Sequence, residues 1–211
     1  RPPGSTLFPY TTLFRSVGRD GSPTYRLPGT DGRLHWLGRT SLPTVSAPAV
    51  LAGFDPGDAN VALPGIGGGH EAAILCRCLK PFQAVFVLEP DPLAMALVLR
   101  VVDLAEPIAR RRLFCLVADP WEPLLGAFLT ANEGVLPPTR MLGYTWLEPA
   151  DIKQATDALS RAAQAANVRH KIILNEIVDR FTAQTTAKTF PPPANPRLVV
   201  MTGSSIATVN R

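Results

Sequence analysis

The sequence predicts an α/β domain built on an open, mostly parallel sheet with helices on both faces. Three observations predict it. Val61–Leu63, Ala84–Leu88 and Leu113–Val117 are short apolar runs, the pattern of strands covered on both faces. Stretches with helical spacing stand between and after them, so strands and helices alternate along the chain. Gly65-Ile66-Gly67-Gly68-Gly69 separates the first of these strands from the first helix, and Glu89 follows the second strand 22 positions after Gly67 (89 − 67). Glycines placed there permit a tight turn and close approach of a ligand, and the helix start offers free N–H groups.

The elements follow in order. Residues 1–16 stand apart, because Thr6–Ser16 (TLFPYTTLFRS) matches the translation of a sequencing adapter, in one frame, at every position. This segment is expected to be non-native, with the genuine protein starting near Val17, so Phe8, Tyr10 and Phe14 carry no fold argument. Residues 17–53 are rich in Gly, Pro, Ser, Thr and Arg. Asp31-Gly32 between Thr24–Leu27 and Arg33–Leu37 predicts a small hairpin or irregular arm, with Trp36 packing it on the main domain.

Residues 54–186 hold the main domain. Phe54-Asp55-Pro56-Gly57 is a turn by composition. His70–Leu79 reads as a helix that Lys80-Pro81 closes, since the residue before proline avoids the α region. A helix from Pro92 has almost no polar face and is expected to be buried, and Glu106–Arg111 is a short continuation. Glu122–Thr130 is helical, and Arg140–Trp146 is a candidate fourth strand that Gly143 interrupts. Pro149–Asn167 is the clearest amphipathic helix, with Ile152, Ala155, Leu159, Ala162 and Ala166 on one stripe. Val168–Thr182 is a second helical stretch using Ile173, Ile177, Val178 and Phe181. Residues 187–196 read as a proline-rich linker. Residues 197–211 begin with a strand, and Thr202-Gly203-Ser204-Ser205 is expected to be the first turn of another α/β unit. Both ends of the chain are expected to be truncated.

Composition narrows the function classes. Lys+Arg exceed Asp+Glu by 21 − 17 = 4, and Arg110–Arg112 is the only basic run and fits a helix end, so no nucleic-acid partner is expected. Cys76 and Cys78 sit two apart on a helix and point to different faces. With Cys115 they make three cysteines without a metal-ligand spacing, so no metal is expected, and reduced thiols suit a cytoplasmic protein. No apolar run reaches membrane-spanning length, so no membrane span is expected.

The candidate cofactor-binding residues are Gly65, Gly67, Gly69, Glu89 and Asp119. A carboxylate at Glu89 can take two ribose hydroxyls, and Asp119 ends the third strand on the same edge, facing an adenine or a sugar. The competing reading is that the glycines only allow the turn, that Glu89 is a solvated strand end and that Asp119 caps the helix at Trp121. Catalytic groups are not evident. His70 is a conceivable base whose neighbouring N–H groups favour its neutral form, and there is no Walker lysine, zinc spacing or nucleophile elbow.

The order of elements resembles the class I S-adenosylmethionine-dependent methyltransferase fold, with Gly65-x-Gly67-x-Gly69 and Glu89 similar to its first two cofactor motifs. Asp119 is similar to the acid after its third strand. That family usually carries an acid two positions before the first glycine, where this chain has Leu63, and Pro64 is also unusual there. A closer resemblance covers most of Phe54–Phe181. FDPGDANVALPGIGGGHEAAIL, and VFVLEPDPLAMALVL with Asp103-Leu104, resemble the Rossmann-type region of two bacterial families. One is the motility accessory factors, with their hydroxymethylpterin-pyrophosphokinase-like domain, implicated in flagellin glycosylation. The other is the spore-maturation-protein-like glycosyltransferases.

The resemblance implies a Rossmann-like, methyltransferase-like three-layer domain. It also implies a nucleotide-like small molecule as ligand (a nucleotide sugar, S-adenosylmethionine, or none) and a downstream transferase domain of the same chain as partner. Three functions stand as expectations. The first is a nucleotide-binding-like domain of a bacterial glycosyltransferase or glycosylation accessory protein. The second is an S-adenosylmethionine-dependent methyltransferase. The third is a non-catalytic structural or interaction domain, which predicts bulky side chains filling the space above Gly65–Gly69.

Overall fold

The computed structural model describes residues 14–28, 32–117, 120–132, 134–144, 146–186, 197–202 and 205–210. The arm comes first. Strands β1 (Phe14–Val17), β2 (Pro23–Pro28) and β3 (Leu34–Trp36) form an antiparallel sheet in that order, with Leu27 opposite His35. The β2–β3 hairpin is the one expected around Asp31-Gly32. β1 includes Phe14, which pairs with Arg26.

Two features of the arm differ from the sequence reading. Trp36 is half-buried under the Arg26 guanidinium, 5.0 Å from its ring centre, while Tyr25, Leu27 and Leu37 carry the packing of the arm on the main core. A helix, α1 (Pro43–Leu51), also follows the arm. Its apolar residues have no helical periodicity and Pro48 lies inside it, so the usual signals are missing. Its start is fixed from outside, since Asp20 accepts from the Thr44 N–H at 2.8 Å and the Thr44 hydroxyl at 2.6 Å.

The main domain is a three-layer α/β structure. Strands β4 (Val61–Pro64), β5 (Val85–Glu89), β6 (Leu113–Val117) and β7 (Arg140–Met141) form one all-parallel sheet in the order β6-β5-β4-β7. Every residue of β4 and β5 is buried, as their unbroken apolar runs require. The period-two alternation divides them between two cores. Val61, Leu63, Val85 and Val87 face helices α2 (His70–Cys78) and α3 (Pro92–Val98). Ala62, Phe86 and Leu88 face α5 (Trp121–Ala131) and α6 (Pro149–Thr186), with α4 (Ala105–Ala109) lying between α3 and β6 in the chain. The helix from Pro92 is half buried rather than enclosed, because Met95, Leu97 and Val98 point inward while Leu99 is 48% exposed.

Three more departures concern the second half. The fourth strand pairs over only two residues, and residues 142–144 and 146–148 run on irregularly across the end of β4. The two expected helices at 149–167 and 168–182 are one helix, α6, about 57 Å long at 1.5 Å per residue. Finally, β8 (Arg197–Thr202) pairs antiparallel with β9 (Ser205–Asn210), and among the described residues no helix follows Thr202. The linker expected at 187–196 lies outside the described residues. Among the described residues, no helix is long and apolar enough to cross a membrane.

Candidate functional site

The glycine turn sits at the carboxyl end of β4, where open parallel sheets bind ligands. Gly65, Gly67 and Gly69 have φ of 83°, 57° and 84°, a region that side-chain-bearing residues adopt at a cost of about 1–2 kcal/mol. Gly69 N–H donates to the Ile66 carbonyl at 3.0 Å, and Gly65 N–H to Leu88 at 2.9 Å, so the turn is tied to itself and to β5. All five residues of the turn are buried.

Glu89 lies directly beneath. It is 6% exposed, and its carboxylate accepts from the Ile66 N–H at 2.8 Å and the Asp91 N–H at 3.0 Å, one to each oxygen. Burial pushes its carboxyl above the ordinary range, against the pull of those two N–H groups. This carboxylate therefore joins β5 to the glycine turn. Its hydrogen bonds go to backbone rather than to an open cleft. Asp119 lies outside the described residues.

The space above the turn is filled from two sides. The Trp146 indole covers Gly67 so closely that a Cβ there would overlap the ring. A Cβ at Gly65 would stand 3.1 Å from Trp146 Cβ and 3.4 Å from Leu147 Cδ2, and one at Gly69 would meet Val98 and Val102. Trp146 is held by its own N–H on the Pro64 carbonyl at 3.3 Å and by Nε1 on the Gly38 carbonyl at 3.1 Å. Tyr144 meets its ring edge-on at 5.1 Å. Gly38 of the arm and Pro43 of α1 close over Gly68, and Arg39 ties to Glu148 at 2.9 Å. Residues 142–144 and 146–148 thus form a strap that meets the arm across the turn. Sequence reasoning did not single out Trp146. Its signal was only an aromatic pair, Tyr144-x-Trp146, in a stretch without periodicity.

Two titratable groups lie at the same corner. His70 opens α2 with Nε2 buried and unpartnered, and burial lowers its pKa from 6.5, with Asp20 opposing and Arg77 assisting. Its neutral form is thus favoured mainly by burial. Glu71 is 1% exposed, its Oε2 has no hydrogen-bond partner, and burial raises its pKa to about 7 against the N–H groups of Glu71 and Gly68. Cys76 is buried and Cys78 exposed, the two faces their spacing predicts, and burial raises the Cys76 and Cys115 thiols to about 11, which makes them poor nucleophiles. Among the described residues no group of three or more His, Cys, Asp or Glu is placed to hold a metal.

No known protein family matches the chain, and no significant match is found among curated proteins or solved structures.

Proposed function

We propose that this chain supplies a Rossmann-like unit that works as a non-catalytic structural or interaction domain, within a bacterial glycosyltransferase or glycosylation accessory protein of the kind its Phe54–Asp103 motifs resemble. One observation carries the reading: the Trp146 ring occupies the position above Gly67 where a cofactor would approach the backbone. The occupied Glu89 carboxylate supports it, because a ribose would have to displace two backbone N–H bonds in a buried setting. Leu63, fully buried in the core where methyltransferases of class I usually carry an acid, is a further support. In this reading the glycine turn is a packing joint. The glycines are needed because side chains from the strap and from α3 pass within contact of the backbone.

The test is a calorimetric titration of the chain with S-adenosylmethionine, its demethylated product and nucleotide sugars, repeated on Glu89→Ala. The reading predicts no saturable binding of any of them up to about 1 mM. Binding of one of these ligands at micromolar concentration, abolished in Glu89→Ala, overturns it.

A further inference from the structure

Helix α6 changes character along its length. Up to Ala166 its stripe packs on the sheet, with Ala155, Ala158 and Leu159 buried. From Asn167 to Arg180 every residue is exposed, although the same face continues through Ile173 (46% exposed) and Ile177 (46%), flanked by Leu174 (36%) and Val178 (58%). So many large aliphatic side chains on two turns of a projecting helix mark a contact surface. Below it, where α6 leaves the amino edge of the sheet, lies an open groove of 1220 Å³. Phe82 and Leu136, each 53% exposed, line it together with Ala163 and Ala166. Arg111 and Arg140 line it too, and neither side chain has an acidic partner among the described residues.

We propose that two copies of this chain associate through an antiparallel pairing of α6, the apolar far half of each helix seating in the groove of the other. Projection and groove lie next to each other on one helix, and only a two-fold arrangement fills both at once and closes. The charges select the same arrangement. Glu176 and Asp179 lie between Lys171 and Arg180 on the segment that enters the groove, where Arg111 and Arg140 stand at the rim. Arg169 and Glu176 are seven residues apart, so they lie on one flank of the helix, about 20° apart. A two-fold axis near residues 172 and 173 sets Arg169 of each copy against Glu176 of the other and brings Ile177 within a turn of Ala166. In a parallel pair each flank meets the opposite flank of the second copy, so Arg169 would face Asn167 and Leu174 and find no acid.

Sedimentation equilibrium on the full chain tests this. The expected result is a concentration-dependent dimer. Ile177→Glu, and separately Phe82→Glu in the groove, each weaken it by at least about tenfold. Arg169→Glu and Glu176→Arg each weaken it alone, and the two together restore it. All four positions are exposed, so circular dichroism of the variants matches the parent. A monomer at about 100 μM overturns the proposal. So does a dimer indifferent to Phe82→Glu, or single charge reversals that the double variant does not rescue.

Discussion

Glu71 and Glu89 are buried at one corner of the molecule, and burial raises both carboxyls against backbone N–H groups that pull the other way. Each oxygen of Glu89 holds a backbone N–H, whereas Oε2 of Glu71 holds none. Glu71 therefore protonates readily, with its pKa raised from 4.5 to about 7. Between those values the folded state binds the extra proton, so stability is full below about pH 4.5 and declines as pH rises towards 7. Replacing Glu71 by Gln keeps the shape and removes the titration. Urea unfolding across this range should show the parent losing on the order of 3 kcal/mol relative to Glu71→Gln, and parallel pH profiles would contradict the assignment. Glu89→Gln is expected to act in the opposite sense at pH 7. An amide has one acceptor oxygen where two N–H donors need acceptors, so the variant should lose about 1–3 kcal/mol. An unchanged urea midpoint would show that the two N–H bonds do not hold the joint.

At the scale of elements, what sequence revealed followed from local pattern. β4, β5 and β6 were legible because unbroken apolar runs have few alternatives, and the strand–glycine–helix order placed the turn correctly. The use of Glu89 was not legible. A strand-end carboxylate carries no local sign that it will accept from the Ile66 N–H, a contact that only the fold brings about. α1 was hidden by Pro43 and Pro48, with its start fixed by Asp20 from another segment. The strap was hidden because Trp146 meets Gly67 across 79 positions of sequence (146 − 67), with no periodicity to announce it. α6 was read as two helices because its composition changes near Val168, although nothing there breaks a helix. That change does mark where packing stops. Leu159→Ala should lower the unfolding free energy by about 2–4 kcal/mol through the cavity it leaves beside α5. Ile172→Ala, on the outer side of the exposed half, should stay within about 0.5 kcal/mol. Equal losses would mean that the two halves of α6 are equally packed.

For the whole molecule, the three layers are closed at the carboxyl edge by two segments that sequence order keeps far apart. The arm reaches in with Gly38, the strap reaches in with Trp146, and they bond to each other over the glycine turn. A fold that elsewhere opens a cleft at this edge here uses it to join its pieces. Gly67 is where this claim is most exposed. Gly67→Ala adds a single methyl group at a φ of 57°, under the Trp146 ring. The most direct measurement is a double-mutant cycle on global unfolding with Gly67→Ala and Trp146→Ala. Gly67→Ala should lose about 3 kcal/mol in the parent but only about 1 kcal/mol, the backbone strain, once the ring is gone. A coupling of about 2 kcal/mol is the predicted result. Losses that add to within about 0.5 kcal/mol would mean that the ring does not fill the space above the turn.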